Sequence, residues 1–409
     1  MHIAMVTDYY LPTLGGVQTA IKAARESLEQ LGHRVTIFCP LLHGSDDAGV
    51  VALPIAGAFR PDGFPFTWPP RDAAALLRRE LADRQVDVVH VHSEVFAALA
   101  GITAARELGL PIVQSMHGRI DVYTAKVLPL PALTTALLAA LHRRQLPHTG
   151  RPAHPEAPYM RTSSARRMWR LMLNQANAAD AVIVPSGHFA AKLIHQGVVA
   201  PMHVVSNGLE DSVLSMVGTP RIRSRSPQEP LRVMWCGRVS PEKRPDAFVR
   251  AIAATGAPVV ASMYGDGVAG AKVRRLIRTL GVGHRVTMHG GVPQREVLEA
   301  MAQHHVFVST SHGFDNQPMV ILEAVAAGLP VVVCDPDLAE GLPEGGFLVA
   351  DSPEPDRIAA VLDCLAGDPA RIDTMSRAVG AGTARTAFRA HAGQLLATYR
   401  QAQAARSIR

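Results

Sequence analysis

The 409-residue chain reads as an α/β protein of two Rossmann-like domains, each a doubly wound parallel sheet, facing each other across a cleft. Three observations lead there. The length exceeds what one core usually serves. Short apolar runs alternate with segments of helical period, the pattern of a parallel sheet with crossover helices. That alternation stops at one polar, proline-bearing stretch and then restarts.

The first domain opens on a strand over His2 to Thr7, then Asp8-Tyr-Tyr-Leu-Pro-Thr-Leu-Gly-Gly, a helix over Val17 to Leu31 that ends at Gly32, and a second strand over Arg34 to Cys39. The glycine pair Gly15-Gly16 stands at the first strand-to-helix turn, where nucleotide-binding α/β folds bring backbone close to a phosphate. Further strands are expected over Asp87 to His92, Pro111 to Met116, Ala181 to Pro185 and Met202 to Val205, with a helix over Ala97 to Leu108. Residues 218 to 230, GTPRIRSRSPQEP, read as an interdomain linker. The first domain is thus 1 to 217 and the second 231 to 385. Strands of the second fall at Leu231 to Cys236, Val259 to Tyr264, Val286 to His289, Val306 to Val308 and Val331 to Cys334. The last helices are Ala/Arg-rich, and the final one, about 386 to 409, is expected to cross back onto the first domain.

Composition narrows the function classes. A net charge of +6 favours anionic partners, yet the basic residues are scattered without the interleaved aromatics that stacked bases need, so no nucleic acid is expected. Cys39, Cys236, Cys334 and Cys364 lack CxxC spacing and read as reduced core thiols, which suits a cytoplasmic protein. The opening MHIAMVTDYYLP reads as a strand, not a signal peptide, and the longest apolar stretch, Ala132 to Leu141, is well short of the roughly 20 residues of a membrane span. Residues 128 to 172 break the pattern: several prolines, seven arginines, and an apolar stripe at Met168, Leu171 and Met172. Such a helix fits either an anionic membrane surface or packing on its own domain.

The stretch Ser309 to Val333, STSHGFDNQPMVILEAVAAGLPVVV, is strand, loop, helix and strand. Its helix is expected from Pro318 to Ala327, with Gly328 at the exit. Asp315 lies in the loop and Glu323 on the helix, so one ligand can be divided between two acids and a helix N-terminus flanked by Asn316 and Gln317.

Gly237-Arg-Val-Ser-Pro-Glu-Lys-Arg-Pro-Asp after a buried strand, with Asp315 and Glu323 beyond it, resembles the retaining family 4 glycosyltransferases. The likeness extends through Gly15-Gly16, Ala179-Asp-Ala-Val-Ile-Val-Pro-Ser, Val204-Val-Ser-Asn-Gly, Tyr264-Gly-Asp-Gly, His289-Gly-Gly-Val-Pro and Leu322-Glu-Ala. DYYLPTLGGVQTAI and SMHGRIDVY are most similar to bacterial lipid glucosyl- and mannosyltransferases. The resemblance implies the glycosyltransferase B fold, with an acceptor-binding first domain and a second that binds the nucleotide-sugar.

It also implies site roles. Arg238 and Lys243 would clamp the departing diphosphate, a task the family performs without a metal, so Asp335-Pro-Asp337 is expected to be a turn and neither metal nor cofactor is expected. Glu323 would accept hydrogen bonds from the donor's ribose. Asp315 stands where the family has glutamate, and its shorter arm leaves Asn316, Gln317 and the amides beyond Pro318 to hold sugar hydroxyls. His117 would touch the transferred sugar, Gly16 would admit the diphosphate to the backbone, and the loop from His289 through Gly290 to Pro293 would lie on the base. His90 and His92 alternate along one strand, so that only one faces the cleft side, and structural roles are expected for both. The implied reaction is front-face transfer of a hexose from a GDP-mannose- or UDP-glucose-type donor to a hydroxyl, on a membrane lipid or lipid intermediate. The protein would then be cytoplasmic and peripheral at the inner face of the plasma membrane. The alternatives are a soluble sugar-alcohol or aminocyclitol acceptor, a nucleotide-sugar 2-epimerase, and a non-catalytic nucleotide-sugar-binding protein.

Overall fold

The computed structural model describes residues 1–11, 15–57, 65–127, 130–146, 151–380 and 383–407. Residues 12–14 of the first turn, 128–129 and 147–150 of the basic segment and 408–409 of the last helix lie outside the described residues. The chain divides into two units, Met1–Gly208 with Arg389–Arg409, and Leu209–Phe388.

The first unit is built on seven strands: β1 His2–Val6, β2 Arg34–Pro40, β3 Val50–Leu53, β4 Val88–Val91, β5 Ile112–Ser115, β6 Ala181–Val184 and β7 Met202–Val204. Their order is β3-β2-β1-β4-β5-β6-β7, and every described pairing is parallel. The order reverses beside β1, which leaves a crevice at the carboxyl ends of β1 and β4. Both faces are apolar. Ala4, Val6, Val89 and Val91 pack on one side, and Ile3, Met5, Ile37 and Val113 on the other. Ala392, Leu395, Leu396 and Tyr399 of the final helix, Thr383–Ser407, join that second side, where the Tyr399 hydroxyl bonds His90 Nδ1 at 2.7 Å.

The second unit repeats the plan with β8 Leu231–Cys236, β9 Val259–Tyr264, β10 Val286–Gly290, β11 Val306–Ser309, β12 Val331–Val333 and β13 Phe347–Val349, in the parallel order β10-β9-β8-β11-β12-β13. β3 and β13 are the strands absent from the sequence reading. Each is a short, half-exposed sheet edge of three or four residues, VVAL and FLV.

Two expectations are corrected and one open alternative is decided. The stretch 218 to 230, expected to be an interdomain linker, lies within the second unit. Arg223 and Arg225 are buried, and Arg223 donates to the carbonyls of Ala302 (3.2 Å) and Ala327 (2.7 Å), while Arg225 donates to those of Glu229 and Ala366. Ala302 and Ala327 close the helices Gln294–Met301 and Met319–Ala326, so Arg223 satisfies carbonyls that have no intrahelical partner. Met168, Leu171 and Met172 are buried in the first unit's core, so the stripe on the helix Ser163–Ala178 packs on its own domain and is not a membrane face. Cys364 is exposed on the helix Pro355–Gly367 and is no core thiol.

Arg223→Ala tests the helix-end contacts. Leaving buried carbonyls unpaired should cost about 2 kcal/mol, read as a lower urea midpoint, whereas a solvated linker residue would change stability by less than about 0.5 kcal/mol.

Candidate active site

In the second unit the turns after β8 and β9 meet backbone to backbone. A Cβ on Gly265 would lie 2.0 Å from the Gly237 carbonyl oxygen, and one on Gly267 would lie 2.5 Å from that of Val239. Only glycine permits this approach, and Gly237 N donates to Tyr264 O (3.0 Å) and Val239 N to Asp266 O (2.9 Å). The loop so fixed runs through Arg238 to the 3-10 turn Pro241–Lys243, then through Arg244 in the left-handed region (φ 53°) to the helix Pro245–Ala254. Its carbonyls are held from β11. The Thr310 hydroxyl donates to Lys243 O (2.8 Å) and Arg244 O (3.0 Å) and accepts from Trp235 Nε1 (3.0 Å).

This scaffold places two cations at the carboxyl end of β8. Lys243 Nζ donates to both oxygens of Asp315, at 2.6 and 2.8 Å, and stands 5.3 Å from the Phe314 ring centroid. Arg238 Nη2 donates to Glu242 Oε1 at 3.0 Å, an oxygen that also accepts from the Ser240 hydroxyl at 2.5 Å. The acid arms are covered, Glu242 fully, while about a third of the Arg238 side chain and a fifth of Lys243 reach solvent. Each pair fixes the direction in which its cation points. Sequence reasoning counted Asp315 among the catalytic and donor-binding residues and left its reach to the sugar open; in the structure it accepts from Lys243 Nζ. It gave Glu242 no part, although the acid stands inside the quoted motif.

The helix after this loop is Met319–Ala326, with Pro318 as its extended N-cap and Gly328 (φ 71°) past its end. Glu323 is buried on it and accepts from Gln294 Nε2 at 2.6 Å. Burial, with a smaller push from Glu210, raises its carboxyl to about 7. Asn316 is buried in the preceding loop. Asp335 forms the turn that its sequence suggested: its oxygens accept from Gly313 N (2.6 Å) and Asp337 N (3.1 Å) and cap Pro336–Ala339. At the ends of β9 and β10, Tyr264 and His289 stack 4.4 Å apart and within 3° of parallel, beside Gly290 in the left-handed region. No sequence pattern marks this flat pair, because its members lie on different strands.

In the first unit, Gly15 and Gly16 begin the exposed N-terminus of the helix Gly16–Gln30. His117 follows β5 and shares a 3.0 Å hydrogen bond between its Nε2 and His92 Nδ1. Burial, then His391, lowers its pKa to about 4, so it is neutral at pH 7. His90 and His92 stand on one face with ring centroids 3.8 Å apart, a correction to the expectation that only one could face the cleft side. Residues two apart on a strand share a face. His90 is structural, bonded to Ser115 Oγ (2.8 Å) as well as Tyr399. Nearby Glu94, which sequence reading passed over, is pushed up to about 8 by burial and then by Asp8.

Glu323→Gln tests the cost of burying this carboxyl. A carboxyl raised from about 4.5 to about 7 favours the folded state fully below pH 4.5 and loses that advantage as pH rises through 7. The variant should therefore gain Tm relative to the parent between pH 5 and 7, with the gain level above pH 7, on the order of 2 kcal/mol.

Residues 14–213 match the sequence profile of Glycosyltransferase Family 4, and residues 230–368 that of Glycosyl transferases group 1. Among similar characterised proteins are a GDP-mannose-dependent alpha-mannosyltransferase of Mycobacterium tuberculosis, 25% identical over 82% of this chain and 79% of that protein, and an alpha-monoglucosyldiacylglycerol synthase of Streptococcus pneumoniae, 23% identical over 90% and 79%. A D-inositol 3-phosphate glycosyltransferase of Streptomyces griseus is 28% identical over 72% of this chain and 62% of that protein. Among solved structures, Anabaena HepE in complex with UDP and glucose shares the fold at a TM-score of 0.68, with 18% identity over 97% of this chain and 98% of that one. The two Rossmann-like units are those of the glycosyltransferase B fold, and the chain belongs to the glycosyltransferases, a Family 4 domain followed by a group 1 domain.

Proposed function

We propose that this chain is a retaining hexosyltransferase that moves a hexose from a GDP-mannose- or UDP-glucose-type donor to a hydroxyl of a membrane lipid or lipid intermediate. The observation that carries the reading is the pairing of Lys243 with Asp315 beside Arg238 with Glu242, at the carboxyl end of β8 in a chain of two glycosyltransferase domains. As the glycosidic bond of a nucleotide-sugar breaks, the diphosphate gains negative charge, and cations held in advance stabilise that charge without reorganising. Asp315 takes two of the three ammonium protons of Lys243, which leaves one, among the described residues, for a phosphate oxygen. Asp315 in this reading is a positioning residue for Lys243.

Glu323 is assigned the ribose diol, and Asn316 and Gln317 with the amides beyond Pro318 the sugar hydroxyls. The stacked Tyr264 and His289, next to Gly290, offer a flat face to a nucleobase. Neutral His117 is assigned the orienting of the transferred sugar, and the backbone at Gly15 and Gly16 the approach to the diphosphate. Retention by front-face attack, with the departing phosphate oxygen taking the acceptor's proton, is supported by the commitment of the cluster's carboxylates. Asp315 holds Lys243, Glu242 holds Arg238 and Glu323 holds the Gln294 amide, so each already has a partner other than an anomeric carbon. A lipid acceptor is supported by the diacylglycerol-glycosylating relative, and the protein would then act at the inner face of the plasma membrane. The second reading, a soluble phosphorylated cyclitol acceptor, is supported by the inositol 3-phosphate relative.

Incubation with GDP-mannose, UDP-glucose and UDP-N-acetylglucosamine, with and without extracted lipid, tests the reading. A lipid product with the donor's α-anomeric configuration is expected by proton NMR; a β-linked product refutes retention, and transfer only to soluble cyclitols refutes the lipid acceptor. Lys243→Ala and Arg238→Ala should each lower turnover about 10²-fold or more with the fold intact, and wild-type turnover in either would refute the diphosphate clamp.

A further inference from the structure

We propose that His92 is a positioning residue that aims His117, and that Tyr399 of the final helix fixes it through His90. The inference deepens the reading in which His117 orients the transferred sugar, and rests on that reading for its effect on turnover. His92 is only 3% exposed and cannot itself reach a ligand, whereas His117 is half-buried. What His92 does reach is His117. Its Nδ1 lies 3.0 Å from His117 Nε2, with the two ring planes within 17° of each other. A bond close to the plane of both rings fixes the direction of the second imidazole as well as its place.

As mere filling, His92 is a costly residue. Its Nε2 is buried without a hydrogen-bond partner among the described residues, a cost that a phenyl ring of similar size would not carry. The Nδ1 contact is what only a polar side chain supplies here. His92 is in turn held from behind, where the ring of His90 lies 3.8 Å away, centroid to centroid. His90 is fixed at both nitrogens, Nδ1 by the Tyr399 hydroxyl (2.7 Å) and Nε2 by the Ser115 hydroxyl (2.8 Å). Tyr399 is fully buried on the helix Thr383–Ser407, and the same helix is seated on the first unit by His391 Nδ1, which donates to the Ser206 carbonyl at 2.7 Å. Burial keeps His90 and His92 well below the ordinary histidine range and His117 at about 4. At pH 7 the run from Tyr399 to His117 is therefore neutral and acts by direction, not by charge.

The experiment sets hydrogen bonding against packing. His92→Phe keeps a ring and loses Nδ1; His92→Asn loses the ring and keeps a polar group near the place of Nδ1. Turnover of GDP-mannose or UDP-glucose should fall about tenfold or more in the phenylalanine variant and return to within about threefold of the parent in the asparagine variant, although the latter leaves a cavity and has the lower Tm. The loss should lie in kcat, with KM for the donor within about twofold of the parent. A phenylalanine variant more active than the asparagine one would show a packing role only and overturn the proposal. Tyr399→Phe should lower turnover about threefold in the parent and no further in His92→Phe; the same loss in both backgrounds overturns the part given to the final helix. The imidazole nitrogen NMR signals of His117 need no donor: they should move in His92→Phe and return in His92→Asn, and signals that stay put in both contradict the aiming contact. His117→Ala separates this inference from the reading beneath it. Parent-level turnover there defeats the sugar-orienting role of His117, whereas a loss there with none in His92→Phe defeats the positioning role alone.

Discussion

Parallel pairing of every strand within each sheet is the constraint on which the rest depends, because it delivers all strand-to-helix turns of a unit to one edge. In the second unit that edge gathers segments far apart in sequence. Lys243, after β8, and Asp315, after β11, meet although 72 residues separate them. Thr310 ties the same two turns together through the carbonyls of Lys243 and Arg244. The close backbone approach of Gly265 and Gly267 to the β8 turn removes the slack that would let Arg238 wander.

The electrostatic character of this edge follows from who is buried. Glu242 and Asp315 sit deeper than Arg238 and Lys243, the cations they pair with, so it is the cations that reach solvent. Burying Glu323 against Gln294, near Glu210, holds a carboxyl in an unfavourable place, as functional sites commonly do. The first unit is built oppositely around neutral histidines. His90, His92 and His117 are kept uncharged by burial, and they supply hydrogen-bond geometry, not charge.

Much of this was legible in the sequence, for physical reasons. A strand buried on both faces must be an apolar run, so Leu231–Cys236 and Val259–Tyr264 were found to the residue. The edge strands Val50–Leu53 and Phe347–Val349 are also apolar, but only three or four residues long and half exposed, and were missed. Arg223 and Arg225 looked like solvated linker residues because composition does not reveal that a guanidinium caps helix carbonyls. The site's residue types were legible in Arg238, Lys243, Asp315 and Glu323, but the partnership was not. That Lys243 is paired with Asp315, and that Tyr264 lies flat on His289, are facts of register between strands. Likewise the apolar stripe at Met168, Leu171 and Met172 has the same period whether it faces lipid or core, and only the packing of the neighbouring helices turned it inward.

The central claim is that the cations after β8 receive the diphosphate of a nucleotide-sugar. A crystal structure with a bound nucleoside diphosphate tests it most directly. The account predicts phosphate oxygens about 3 Å from both Lys243 Nζ and the Arg238 guanidinium, with the ribose diol on Glu323. A diphosphate bound away from β8, with the Lys243–Asp315 and Arg238–Glu242 pairs undisturbed and shielded from it, would contradict the account.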